Sequence, residues 1–456
     1  MERFYIGLNY KNKILNGNVL EVLRQLPSDI YDTIITSPPY WGQRFYPGAN
    51  TVWDAGSPNC EHDWQSYIKA SNCWGVPSPN ISVKSEEYNT SWVPEHQQGY
   101  CKKCGAWWGQ LGCEPTPQLF VDHLVEIFDE LLRVLKPTGV CFLNLGDKYC
   151  GSLGGYGIKE VHSIGIQYNL KERRPSQFFK PPAATCLGKE PYLKMKQLLL
   201  IPHRVAIKME DHGWLCRNNI IWFKANYMPH PVRDRFVNAH EDVFMFTKTG
   251  KYFFDLDKVR KPSIWAKKDK RAMFGRVPHM TGKLVDAKVH NAAVGYNPKG
   301  KNPGDVWKLK TSRFKGAHFA TFPHELVEMA LKCACPTEVC KECGKPKKQI
   351  YKMISRSWNE ISQEERDFIK KRYGNVEDPK SPHHKVIKKM LRKMKNTGWH
   401  PNCKCNVEYE PGIVLDPFMG SGTTAIVAKS YGMNYTGIEL SKKYVKIAED
   451  RLKEML

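Results

Sequence analysis

The chain has 456 residues, enough to bury a large core and to hold one large α/β domain with insertions, or two domains. It carries 69 Lys and Arg against 46 Asp and Glu, and the resulting net charge of +23 suits a polyanionic partner, nucleic acid first. No apolar run reaches the length of a membrane span, Met1-Glu2-Arg3-Phe4-Tyr5 does not open a secretory signal, and the 15 cysteines therefore point to thiols and metal ligands rather than disulfides.

The first strong element is the buried-type strand Asp32–Thr36, which runs into Ser37-Pro38-Pro39-Tyr40. That tetrapeptide is a rigid polar turn with an aromatic face, suited to holding a planar amine. Residues 42–113 have little periodicity and read as an insertion. Within it, Cys101-Lys102-Lys103-Cys104 has knuckle spacing, with Cys60-Glu61-His62 as its partner pair and Cys73 and Cys113 as alternatives. Apolar residues at 120, 121, 124, 125, 127, 128, 131, 132 and 135 predict a helix over Leu119–Leu135. Lys136-Pro137-Thr138-Gly139 ends that helix and turns into a strand at Gly139–Leu145. Residues 150–190, with Gly151-Ser152-Leu153-Gly154-Gly155 and Pro181-Pro182, read as a long mobile loop. Strands follow at Asn219–Lys224 and Glu241–Thr247.

Between Arg260 and Trp307 periodicity fades and basic residues accumulate, among them Lys267, Lys268, Lys270, Arg271, Arg276, Lys283 and Lys288. Residues 336–411 form a further insertion. Cys340-Lys341-Glu342-Cys343 and Cys403-Lys404-Cys405 supply two close thiolate pairs for a closed tetrahedral zinc site, although Cys333 and Cys335 could replace one pair. The basic run Lys385–Lys395 lies between the pairs. Ile413-Val414-Leu415 is then a buried-type strand ended by Asp416. Gly420 and Gly422 make a tight turn that a ligand can approach, Thr423 and Thr424 open a helix, and the strand Tyr435–Glu439 ends in a carboxylate able to accept from ribose hydroxyls. A last helix is expected at 441–455. Strands alternating with helices predict an α/β fold with a mainly parallel sheet.

Thr36-Ser37-Pro38-Pro39-Tyr40 and Asp416-Pro417-Phe418-Met419-Gly420-Ser421-Gly422 together resemble the paired signatures of the S-adenosylmethionine-dependent methyltransferases that modify exocyclic amines of DNA bases. With the reactive motif first and the cofactor motif last, the order is that of the β class, whose Rossmann-like sheet is circularly permuted. The resemblance implies that Ser37 Oγ and the Pro38 carbonyl hold the amine, that Pro39 fixes the turn, and that Tyr40 stacks on a flipped base. It implies cofactor contacts at Asn18, Thr321, Asp416, Phe418, Gly420, Gly422, Thr423 and Glu439. It also places the base pocket near Ile221–Pro229, Arg233–Phe236 and His240–Phe244, where His240 and Glu241 either line the pocket or cap the strand.

The chain then divides into a catalytic half (1–41 and 114–260), a zinc-knuckle insertion (42–113), a target-recognition region (261–312), a cofactor half (313–335 and 412–456) and a zinc-ribbon insertion (336–411). The metal ligands expected are Cys60, His62, Cys101 and Cys104 in one site and Cys340, Cys343, Cys403 and Cys405 in the other, both structural zinc. None of the cysteines follows a proline, which argues against the Pro-Cys nucleophile of carbon-5 cytosine methylation. The expected activity is methylation of the N4 amine of cytosine in double-stranded DNA, with the N6 amine of adenine as runner-up. An RNA amine methyltransferase and a non-catalytic zinc-bearing DNA-binding protein are the remaining alternatives. A cytoplasmic, prokaryotic or viral monomer or homodimer beside a cognate restriction endonuclease completes the expectation, with no membrane partner.

Overall fold

The computed structural model describes residues 10–42, 49–54, 59–67, 98–150, 193–194, 196–227, 229, 231–262, 276–278, 284–286, 299–313, 320–321, 323–361, 363–373 and 391–455. The chain falls into two compact units. The first comprises Met1–Phe254, Gly304–Cys335 and Pro411–Leu456, and the second comprises Asp255–Pro303 and Pro336–Glu410.

The first unit is built on an eight-stranded sheet. Its strands are β1 (Lys13–Asn16), β2 (Tyr31–Thr36), β3 (Leu135–Leu145), β4 (Leu215–Lys224), β5 (His240–Thr247), β6 (Val306–Leu309), β7 (Ile413–Asp416) and β8 (Asn434–Glu439), in the spatial order β1-β8-β7-β2-β3-β5-β4-β6. Five of the seven pairings are parallel; only β5 runs against its neighbours β3 and β4. The sheet is therefore mainly parallel, as expected, with a β4–β5 hairpin at one side. β1 and β6 were not legible, being four-residue strands whose polar and charged positions break the apolar run.

Every residue of β2 is buried, as a central parallel strand covered on both faces must be. Successive side chains alternate between those faces. Ile34 joins the core cluster made by α2 (Pro117–Val134), whereas Thr33 Oγ1 on the other face donates to the Ala334 carbonyl at 3.0 Å, at the end of α4 (His324–Ala334). The periodicity that predicts α2 also buries it: Phe120, Val121, Leu124, Val125, Ile127, Phe128, Leu131 and Val134 all face the core. Thr116 caps its start by accepting from Leu119 N at 3.2 Å, and Pro117 occupies the first turn, where no amide is needed. Lys136-Pro137-Thr138-Gly139 does not separate helix from strand as expected. β3 already begins at Leu135, opposite Tyr31, and the four residues are passed over before Val140 pairs with Thr33.

The remaining helices are α1 (Val19–Gln25), α3 (Ile201–Asp211), α5 (Thr423–Ser430) and α6 (Lys442–Lys453). Residues 42–113 hold more order than their composition suggests. Thr51–Trp53, Trp107–Gly109, Gln98–Cys101 and Trp64–Tyr67 form a four-stranded antiparallel sheet in that order. In the second unit, Lys348–Ser355 pairs antiparallel with Arg392–His400, and Val339–Cys340 with Tyr409–Glu410. The stretch 151–190 lies outside the described residues, as do Lys267, Lys268, Lys270, Arg271, Lys283, Lys288 and Lys385.

Candidate active site

β2 and β7 are adjacent and parallel, with Ile34 opposite Leu415, so Ser37 and Pro417 leave the sheet side by side. A buried hydrogen bond fixes the junction: Thr36 Oγ1 donates to Asp416 Oδ1 at 2.9 Å across 380 residues of sequence. The other Asp416 oxygen accepts from Thr424 Oγ1 at 2.6 Å, and Phe418 N donates to Oδ1 at 3.1 Å. Asp416 has no exposed surface, and burial raises its carboxyl to about 6. It is the girder beneath the glycine turn rather than a group on the turn's surface.

The turn itself has one open and one closed glycine. Gly420 has φ +53°, and a Cβ there would meet nothing closer than Phe418 O at 3.9 Å. Gly422 has φ +85°, but its missing Cβ makes room for Ala448 of α6, 2.8 Å from where that atom would sit. Only Gly420 thus leaves the close approach expected of both. Glu439 ends β8 and binds the turn, accepting from Gly420 N at 2.8 Å through one oxygen and from Ser441 N at 2.8 Å through the other. Burial raises its carboxyl, and each oxygen keeps a further lone pair for a hydroxyl. Thr423 is buried as the first residue of α5, and Phe418 is half-buried against the core.

Asn18 departs from expectation. Its side-chain oxygen caps α1, accepting from Leu20 N at 2.9 Å and Glu21 N at 3.3 Å, so it is already engaged. Thr321 is placed by backbone pairing with Ser312. The residues around Thr321 in sequence, His318, Phe319 and Phe322, lie outside the described residues.

On the reactive side, Pro38 is buried and Ser37 and Tyr40 are half-buried. Ser37 Oγ lies 3.2 Å from the Tyr40 hydroxyl, which donates to Glu241 Oε2 at 2.8 Å and lies 3.1 Å from Asn144 Oδ1. Asn144 Nδ2 donates to Glu241 Oε2 at 3.1 Å, and Lys224 ion-pairs with Glu241 Oε1. The Tyr40 ring lies against Gly146, where a Cβ would approach its Cε2 to 2.6 Å. Glu241 thus belongs to the hydrogen-bond network of Tyr40, while His240 beside it is exposed. Asn144 was not singled out, and Lys224 was read only as part of the Ile221–Pro229 segment. The available signal was a lone amide inside the apolar run Val140–Leu145.

Both cysteine clusters are assembled. Cys60, His62, Cys101 and Cys104 bring one ligand atom each within 4.8 Å of one another, and so do Cys340, Cys343, Cys403 and Cys405. Zinc–thiolate bonds of ~2.3 Å set tetrahedral sulfurs about 3.8 Å apart, and Cys60 Sγ lies 3.8 Å from Cys101 Sγ. Each cluster contains the same Cys-x-x-Cys-Gly turn. Gly105 N donates to Cys101 O at 2.9 Å and Gly344 N to Cys340 O at 2.9 Å, with both glycines at positive φ. Cys403, whose sulfur accepts from the Cys405 amide, falls to about 7, whereas Cys405, facing Cys343, rises to about 12. Against the expectation of thiols throughout, Cys113 is disulfide-bonded; the other described cysteines are thiols.

A sequence model described as DNA methylase, of the N6/N4 methyltransferase type, matches residues 31–339 and 337–450. The type II methyltransferase M.XycI of Xanthomonas campestris pv. cyanopsidis is 27% identical over 440 residues, spanning 96% of this chain and 87% of the relative. M.Cfr9I of Citrobacter freundii is 26% identical over the same shares. Among solved structures, the PvuII DNA methyltransferase (cytosine-N4-specific) aligns with 97% of this chain and 88% of its own, at 14% identity and a TM-score of 0.43.

Proposed function

The chain belongs to the N6/N4 family of DNA methylases, the DNA amino-methyltransferases, and from that premise we propose that it methylates the N4 amine of cytosine at a defined site in duplex DNA. The observation that carries the reading is the Thr36–Asp416 hydrogen bond, which locks the amine-holding turn beside the glycine turn.

S-adenosylmethionine, when bound, supplies a methyl group made electrophilic by its sulfonium. The residues fit that cofactor: Gly420 leaves space for close approach, α5 starts at the turn, and Glu439 keeps lone pairs for ribose hydroxyls. The target base is rotated out of the duplex to reach the site. Ser37 Oγ and the Pro38 carbonyl accept the two amine hydrogens, which orients the nitrogen lone pair for displacement and favours its more nucleophilic tetrahedral form. Tyr40 offers a ring face to the base, held in place by Glu241 and by Gly146. Lys224 and Asn144 hold Glu241 in turn.

The two cysteine clusters fit zinc, each as a closed four-ligand site that staples a segment too short to bury its own core. The relatives are named type II methyltransferases, and protection of host DNA from a cognate restriction endonuclease belongs to the same proposal. A circularly permuted fold belongs to it too, supported by the order of the two motifs along the chain.

Ser37→Ala tests the reading. It is expected to lower the single-turnover rate of methyl transfer by roughly 10- to 100-fold, the scale of a misplaced reacting group, while cofactor affinity stays at the parental value. A parental rate in Ser37→Ala removes the amine-holding role.

A further inference from the structure

A buried charged cluster lies where the knuckle-bearing sheet meets α2, away from the reacting groups. His123 of α2 is 1% exposed. Its Nδ1 lies 3.2 Å from Glu114 Oε1 and its Nε2 lies 2.9 Å from Asp54 Oδ2. The ring is stacked on Trp53, with centroids 4.5 Å apart, and on Trp107, at 5.3 Å. Both tryptophans come from strands of the four-stranded sheet. An imidazole donates from both nitrogens only when it carries two protons, so the arrangement matches a cation held between two carboxylates.

From Glu114 the network runs to the reactive turn. Glu114 Oε2 accepts from Gly112 N at 2.8 Å, and Gly112 O accepts from Gly42 N at 2.6 Å. The Glu114 carbonyl accepts from Trp41 Nε1 at 3.0 Å. Gly112 has φ +92°, and a Cβ there would sit 3.1 Å from the Tyr40 carbonyl oxygen, so residues 110–114 press directly on the backbone of the Tyr40 turn. Lys148 Nζ holds the same turn from the other end, donating to Gly42 O at 2.6 Å.

We propose that His123 and Glu114 are positioning residues for methyl transfer, fixing the 110–114 turn on which Tyr40-Trp41-Gly42 is built. The proposal rests on the methyl-transfer reading of Ser37 and Tyr40. A buried, satisfied polar network rigidifies what it touches. Loss of that rigidity displaces the Tyr40 ring relative to Ser37 and the glycine turn, which Thr36 and Asp416 still hold together.

The test uses the full chain with labelled S-adenosylmethionine and a DNA duplex carrying the enzyme's site. His123→Phe keeps a ring between Trp53 and Trp107 but removes both polar contacts. It is expected to lower the single-turnover rate on the order of 10- to 100-fold while KM for the cofactor stays within about twofold of the parent. Asp54→Asn, at a half-exposed side chain, is expected to lower the rate by a smaller factor with the same split between rate and KM. Parental single-turnover rates in these variants overturn the proposal. If His123→Phe does not fold, Asp54→Asn decides on the same readout, an unchanged rate counting against it. If the parent itself leaves every base amine unmodified, the methyl-transfer reading fails first, an outcome distinct from active variants.

Discussion

Asp416 shows how burial and hydrogen bonding oppose one another in a single side chain. Burial raises its carboxyl to about 6, against donors from Thr424, Thr36 and Phe418 that favour the charged form. The unfolded value is ~3.9, so the folded chain holds the proton more tightly. The linked stability is fully present below about pH 4 and is lost as pH rises through about 6. Asp416→Asn, which cannot titrate, is expected to remove that part of the pH dependence. Urea unfolding of parent and variant across pH 4 to 7 measures it, and identical profiles would contradict the assignment. Glu439 is the complementary case, with both oxygens partly used by backbone amides and partly free. Glu439→Ala is expected to weaken S-adenosylmethionine binding by about 1.5–3 kcal/mol, the worth of hydrogen bonds to a charged group. Calorimetry showing unchanged affinity would take Glu439 out of the site.

At the scale of elements, the knuckles show what short segments need. The sheet over residues 51–109 has strands of three or four residues, too short to form a stable core by themselves. The purified protein is expected to carry close to two zinc ions, and chelation is expected to destabilise the two insertions more than the eight-stranded sheet. Elemental analysis finding no zinc in active protein would overturn both sites. The grouping of these side chains was legible because Cys101–Cys104, Cys340–Cys343 and the partner pairs Cys60–His62 and Cys403–Cys405 are each local in sequence. α2 was legible because its apolar spacing is helical over five turns of core contact, and β2 and β7 because their runs are buried on both faces. The Tyr40–Glu241–Lys224 and His123–Glu114–Asp54 networks were not. Their members lie far apart in sequence: Tyr40, Glu241 and the segment holding Lys224 were each singled out with nothing local to join them, and His123, Glu114 and Asp54 each read as an ordinary polar residue. Asn18 is ambiguous in sequence for a related reason: its side chain caps the start of α1, a need that the local sequence Asn-Val-Leu-Glu leaves indistinguishable from ligand binding.

Across the whole molecule, the chain order places the Ser-Pro-Pro-Tyr turn first and the glycine turn last, and the sheet order brings them together by setting β2 against β7. Within the described residues no helix is long and apolar enough to cross a membrane, and the net charge of +23 suits a DNA partner. Transfer of a methyl group to a cytosine amine is read out by nucleoside analysis. Duplex DNA is methylated by the purified chain with isotope-labelled S-adenosylmethionine, digested to nucleosides and analysed by mass spectrometry. The expected result is labelled N4-methyldeoxycytidine; labelled N6-methyldeoxyadenosine with no amine-methylated deoxycytidine would contradict it.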